Sequence, residues 1–387
     1  MVCPLSGAAR ACRTPLRAGA VAGVAALVAA GVALAGPAAP ARAVDRPAPG
    51  GGVAGRPGPA GSAVGGAGLA TTGTAVDPAA APLPAVDAAG WLVADMDTGD
   101  VLAAHDPHGT YLPASSLKTL TALTLIPRIP PDTQITATQL DAGIDGSKVG
   151  LVPGQTYTAR DLFTGMMTVS GNDAATALSE AAGGIPATTA AMQAEADRLG
   201  ADDTHVVDPT GLDAPGQVSS AYDLALFARA GLGDPQFAAY VATQRARFPK
   251  PGGGSFEIDN HNPLLGRYAG TIGVKNGYTV AAQASYVGAA RRDGHTLVLS
   301  LIRSKPDFTA QAKALLDWGF AADGRVTPVG QLVAPRTAVP PHAAAAAVTV
   351  APRHASSGPP PVLWVAAAVT ALAVWRIRRG RRRRRTR

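Results

Sequence analysis

The sequence predicts an α+β fold, and three observations carry that prediction. Two strand-like runs close on a turn near residue 97, helix-period sequence fills the middle, and three further strand-like runs precede a last helix. Strands at both ends of one block, with helices between, give a sheet assembled from the two ends of the domain and no βαβ alternation.

The elements follow in order. "GWLVADMDTGDVLAAHD" (90–106) holds two short alternating runs around Asp97-Thr98-Gly99-Asp100, a hairpin signal. Residues 115–126 are almost all apolar or hydroxyl-bearing and read as a helix stopped by Pro127. Residues 158–200 are helical in pieces, broken at Ser170-Gly171-Asn172 and again at Gly183-Gly184. "SSAYDLALFARAGL" (219–232) places a Ser cap before an apolar-periodic run, a further helix. Residues 270–276, 284–292 and 295–303 are strand-like, with Asp293-Gly294 turning the last two into a hairpin, and 308–320 closes the block as a helix.

The two ends of the chain differ from this block. Arg10, Arg13 and Arg17, an apolar run at 18–36 and "ARA" at 41–43 describe a secretory signal over 1–43, with cleavage after Ala43; the long apolar run also permits an uncleaved anchor. Residues 44–86 and 323–361, rich in Gly, Pro and Ala, read as linkers around a catalytic block at 87–322. Residues 362–377 form an apolar run flanked by Trp364 and Trp375, read as a transmembrane anchor with the arginine-rich tail 378–387 in the cytoplasm. The block between is then expected outside the membrane, held off it by the linkers.

Charge and cysteine usage narrow the function classes. The whole chain carries +7, but the last twelve residues hold nine arginines and the first 43 hold four, none offset by an acid. The stretch between them therefore carries −6, which is wrong for a nucleic-acid binder whose charge would sit on the folded domain. Both cysteines, Cys3 and Cys12, precede the block, so it has neither a disulfide nor a thiolate metal site. The seven histidines show no His-x-x-x-His spacing, which disfavours a zinc peptidase, and no Gly-x-Ser-x-Gly elbow surrounds Ser170.

One lysine stands out. Lys118 interrupts the apolar helix at 115–126, three residues after Ser115, so the two share a helix face. A serine hydroxyl needs a base to become a nucleophile. A lysine in an apolar wall loses solvation, its pKa falls, and the neutral amine can be that base. Backbone N–H groups at the helix start can hold a developing oxyanion. The bland alternative is a lysine that snorkels to solvent. Of the six lysines, only Lys118 has a serine three residues before it. A second element, Ser170-Gly171-Asn172, breaks two helical runs and can aim a hydroxyl and an amide into one cleft; a plain helix cap is its structural counterpart. A third, Lys275-Asn276-Gly277, ends a strand-like run, where Gly277 would admit a substrate strand and Lys275 would add positive charge beside Lys118. An edge lysine that discourages aggregation is the simpler account of the third.

The order Ser-x-x-Lys, Ser-x-Asn, Lys-x-Gly resembles penicillin-interacting serine enzymes. The chain is similar, over about 86–322, to the serine-type D-alanyl-D-alanine carboxypeptidases, peptidase family S11. "LVADMDTGDVLAAHDPHGTYLPASSLKTLTAL", "VSGNDAATALSE", "DPTGLD", "SSAYDLALFARAGL" and "NHNPLL" stand where that family has similar text. The resemblance implies an antiparallel sheet flanked by helices with a helical subdomain that carries the Ser-x-Asn loop. It implies no cofactor or metal, peptidoglycan stem peptides ending in D-Ala-D-Ala as substrate, and β-lactams as covalent inhibitors. Ser115 would be the nucleophile and Lys118 its base, Ser170 would relay a proton to the leaving D-alanine, and Asn172 would hold the acylated chain. Lys275, with Asn276 and Gly277, would receive the terminal carboxylate, and the N–H groups of Ser115 and Tyr278 would form the oxyanion hole. Asn276 departs from the family's usual Thr, which touches carboxylate recognition more than reaction class. Many relatives also carry a β-rich domain after the catalytic one, where this sequence shows only linker.

Two rivals remain at this stage. A class A β-lactamase shares the motifs but needs a glutamate for deacylation, and Glu180, Glu195 and Glu257, the only three, lack its context. A wall-binding protein with decayed chemistry would keep the fold without the complete motif set.

Overall fold

The computed structural model describes residues 64–336. The expected signal peptide, the cleavage site after Ala43, Cys3 and Cys12, the anchor at 362–377 and the basic tail all lie outside the described residues. Among the described residues no helix is long and apolar enough to cross a membrane.

In chain order, β1 (Thr74–Val76) precedes the hairpin of β2 (Ala88–Asp95) and β3 (Asp100–His105). A short 3-10 turn (Ala114–Leu117) leads into α1 (Lys118–Leu125), followed by β4 (Gln134–Thr136), α2 (Gln139–Gly143) and β5 (Thr156–Thr158). Then come α3 (Ala159–Thr168), α4 (Asn172–Ala181), α5 (Ile185–Leu199), α6 (Ala221–Leu232) and α7 (Pro235–Ala242). The hairpin β6 (Arg245–Pro249) and β7 (Ser255–Asp259) precedes β8 (Thr271–Thr279), β9 (Gln283–Arg292) and β10 (His295–Ser304). Finally α8 (Thr309–Ala322) leads to β11 (Gly330–Gln331).

The main sheet is antiparallel, in the order β1-β3-β2-β10-β9-β8, with β11 paired to β3 beside β1. This is the α+β arrangement the sequence predicts, with a β2–β3 hairpin from the start of the block joined to β10 from its end. Alternation along the strands sorts side chains into two cores. Leu92, Ala94, Val298 and Ile302 face one way and pack with α1 and α3 to α6. Trp91, Val93, Leu297, Leu299 and Leu301 face the other way, against Leu315, Leu316 and Trp318 of α8. The helices on the first face form a cluster of their own, and that cluster carries the Ser170–Asn172 turn. β8 is an edge strand, so one side of its backbone is open to an added chain.

The folded unit is wider than the block expected at 87–322. The linker expected over 44–86 is folded from residue 64 onward, and the one over 323–361 as far as 336. Leu69 and Leu332 are buried, Trp318 Nε1 donates to the Ala81 carbonyl (2.9 Å), and the Thr327 amide donates to Asp77 (2.6 Å). The sequence hides this because strands of two or three residues pair through backbone and need no apolar alternation.

Candidate active site

The nucleophile turn is held from three sides. Pro113 fixes φ just before it, and its carbonyl accepts hydrogen bonds from Ser116 Oγ and Ser285 Oγ, each at 2.6 Å. Ser116 is thereby turned away from the cleft, leaving Ser115 as the half-buried hydroxyl of the pair. The expected helix at 115–126 begins as 3-10, so Ser115 lies on the turn and Lys118 opens the α-helix proper. The three-residue spacing still places Lys118 Nζ 2.9 Å from Ser115 Oγ.

Lys118 is fully buried. Its Nζ donates to Asn172 Oδ1 (2.6 Å) and to the Thr210 carbonyl. Its pKa lies well below the ordinary lysine value, mainly through desolvation and further through the nearby Lys275 charge; Asp208 and Asp173 oppose the shift. A neutral amine has two N–H bonds. Asn172 and Thr210 take both, so the lone pair falls toward Ser115, whose hydroxyl then donates.

The Ser-x-Asn turn follows from α3. A reciprocal capping box starts that helix: Thr158 Oγ1 accepts from the Asp161 amide (3.1 Å), and Asp161 Oδ2 accepts from the Thr158 amide (3.0 Å). The chain leaves α3 through Ser170 at φ 63°, a left-handed conformation that costs a non-glycine residue about 1–2 kcal/mol. Ser170 Oγ is buried and meets no hydrogen-bond partner among the described residues. Such strain gathers at functional turns. Asn172 then opens α4, and Asp173 secures the turn by accepting from the amides of Val149, Gly150 and Leu151.

Asn172 Oδ1 accepts from Lys118, and its Nδ2 donates to the Asp145 carbonyl (2.7 Å). In this structure it positions the lysine. At Gly277 a Cβ would sit 2.4 Å from the Ser115 nitrogen and 2.8 Å from the Ser116 nitrogen, so the glycine lets β8 abut the nucleophile turn.

β8 supplies the rest. Lys275 is also fully buried, and burial lowers its pKa to about 7. Its Nζ donates to the Asn276 carbonyl (2.7 Å). Asn276 is half-buried and Tyr278 is 57% exposed, so the strand passes from a dry floor to an open rim within three residues. The structure thus brings Ser115, Lys118, Asn172 and Gly277 into direct contact or near contact, with Lys275 close enough to repel Lys118.

The loop at 208–213, "DPTGLD", also reaches the site, through a contact that no motif spacing marks. Thr210 offers Lys118 its carbonyl because Asp208 Oδ1 accepts from the amides of Thr210 (2.8 Å) and Leu212 (3.3 Å). Gly211, at φ 81°, lets that loop meet the Ala114 carbonyl, which a Cβ would strike at 2.1 Å. A backbone acceptor leaves no mark in side-chain spacing.

A helix-borne serine and buried lysine facing an edge strand with a second lysine define a penicillin-interacting serine hydrolase. The Peptidase S11 family model, described as D-alanyl-D-alanine carboxypeptidase, matches residues 75–305. The chain belongs to that family. It is 42% identical over 265 residues to the D-alanyl-D-alanine carboxypeptidase DacB2 of Mycobacterium tuberculosis, covering 66% of this chain and 90% of that one. It is 34% identical to the D-alanyl-D-alanine carboxypeptidase DacD of Salmonella typhimurium, of whose length it spans 63%. The crystal structure of a D-alanyl-D-alanine carboxypeptidase from M. tuberculosis matches with a TM-score of 0.64 at 40% identity, over 66% of this chain and 99% of that one. The Streptomyces K15 DD-transpeptidase matches with a TM-score of 0.59 at 26% identity, over 62% of this chain and all of that one.

Proposed function

We propose that this chain is a serine D-Ala-D-Ala carboxypeptidase that trims the terminal D-alanine from peptidoglycan stem peptides and is acylated by penicillins. The observation that carries this reading is Lys118 Nζ at 2.9 Å from Ser115 Oγ, buried, with both of its neutral-state N–H bonds already occupied. Family membership and the named relatives support the same bond as the target.

In the proposed reaction a stem peptide lies along the open edge of β8, adding a strand to the sheet. Lys275 attracts the terminal carboxylate, and the half-buried Asn276 offers its amide at the same rim. Ser115 Oγ attacks the carbonyl between the two D-alanines while its proton passes to Lys118 Nζ. The oxyanion meets the N–H groups of Ser115 and Tyr278. Ser170 relays the proton held by Lys118 to the departing D-alanine nitrogen, and water, giving its proton to the freed Lys118 amine, then cleaves the Ser115 ester. No step calls for a metal or cofactor. The signal expected at 1–43 and the anchor expected at 362–377 support a location outside the membrane for this work.

Fluorescent penicillin labelling and D-alanine release from a D-Ala-D-Ala peptide test the proposal. Both are expected in the wild type and absent in Ser115→Ala. A folded wild type that does neither would favour the wall-binding alternative.

A further inference from the structure

Three side chains far apart in sequence converge where two hairpins and a helix end. Asp95 closes β2, His295 opens β10, and Asp323 follows α8. One ligand atom from each lies within 4.8 Å of the other two. His295 Nδ1 is 2.8 Å from Asp323 Oδ2 and 4.0 Å from Asp95 Oδ2. A tetrahedral zinc ion with bonds of about 2.0–2.2 Å sets its ligand atoms roughly 3.3–3.6 Å apart. The observed spacings straddle that value.

The protein balances the charges at this corner only in part, because one imidazole stands against two carboxylates. Asp95 is 4% exposed and the Asp323 side chain 10%, and among the described residues no lysine or arginine forms an ion pair with either. Asp95 Oδ1 is committed to its turn, accepting from the Thr98 amide (2.7 Å) and the Thr98 hydroxyl (3.1 Å). That leaves Oδ2 for the cluster. Asp323 Oδ2 is buried and accepts no hydrogen bond, although His295 Nδ1 stands beside it. Burying such an oxygen is costly, and a cation in bonding geometry would offset that cost.

We propose that Asp95, His295 and Asp323 form a structural zinc site. Two carboxylates and an imidazole suit a borderline divalent ion; calcium needs about six to eight oxygens and magnesium a near-octahedral oxygen shell. The ion staples the β2–β3 turn, the β9–β10 turn and the end of α8. It takes no part in the reaction. Lys275 pairs with Val287, Val287 with Ser300, and Ser300 with Leu92. Asp95 lies three residues beyond Leu92, about 10 Å along the strands and about 14 Å across them from the Lys275 row.

The test uses the untagged full chain in detergent, stripped with a chelator and titrated with zinc chloride. His295→Ala and Asp323→Asn are each expected to lose one zinc equivalent relative to wild type. Zinc is expected to raise Tm in wild type and not in either variant, with D-alanine release by His295→Ala unchanged. His295 is exposed, so its replacement leaves the fold intact even if Asp323→Asn does not. The proposal is overturned if His295→Ala retains the wild-type zinc stoichiometry, if zinc leaves the wild-type Tm unmoved, or if calcium or magnesium matches zinc in raising it.

Discussion

The cleft holds two buried amines, and their seats differ. Lys118 touches Ser115 Oγ, Asn172 Oδ1 and the Thr210 carbonyl, contacts drawn from three separate segments. Among the described residues, Lys275 donates to the carbonyl of its own neighbour, Asn276. Burial lowers both pKa values, and Lys118 is lowered further by the other's charge. Two ammonium groups in one dry space repel, so the amine with acceptors for its neutral form gives up the proton. The difference teaches a division of labour. In the proposed reaction the helix amine takes a proton, whereas the strand amine keeps spare N–H bonds and a charge for an incoming carboxylate.

The comparison breaks most decisively at Lys118. Lys118→Met is expected to slow β-lactam acylation and D-alanine release by about 10²–10⁴-fold, measured as turnover and labelling rate. A wild-type rate in that variant would mean another group takes the proton. Asn172→Ala removes one of the two acceptors that direct the lone pair, and is expected to cost about 10–100-fold in kcat with the Ser115 turn intact. A loss confined to KM would return Asn172 to substrate binding.

Lys275→Met sharpens the other side. KM for a D-Ala-D-Ala peptide is expected to rise about tenfold, the equivalent of one charge-assisted hydrogen bond. The same peptide amidated at its C-terminus should be indifferent to the change. The pH profile carries the smallest and most informative effect. Lys275 holds its proton below about 7, so KM for the carboxylate substrate should rise as pH climbs through that value. Lys118 must be neutral, so kcat should rise with pH through its own depressed pKa. For stability the sign is the same for both. From the folded pKa up to 10.5 the unfolded chain binds a proton that the folded chain does not, so stability rises with pH across that window.

Elements with a strong period were legible in the sequence. The hairpin at 90–106, the helix of 221–232 with its Ser220 cap and the three long strands β8 to β10 follow from apolar patterning and turn residues alone. Ser115 and Lys118 were legible because an i, i+3 spacing is a geometric statement. The hairpin β6–β7 and the strands β1 and β11 were not. β1 and β11 are only two or three residues long, and β6–β7, although Phe248 and Ile258 are buried, are five-residue runs parted by Lys-Pro-Gly-Gly-Gly, too short for a period to stand out. The Thr210 carbonyl and the true neighbour of Gly277 were hidden for another reason. Both depend on where one backbone meets another, which residue types do not encode. The Asp95–His295–Asp323 corner spans more than 200 positions, far beyond any ligand-spacing pattern.

β1 and β11 share the outer edge of β3, and the Gln331 amide donates to the Gly65 carbonyl at 2.8 Å. The folded body is therefore entered and left at one margin, with four strands between that margin and β8. A load applied between the two flanks would first meet the short β1 and β11 ladders on β3, the Gln331–Gly65 bond and the tie from the Arg336 amide to the Arg198 carbonyl at 2.8 Å.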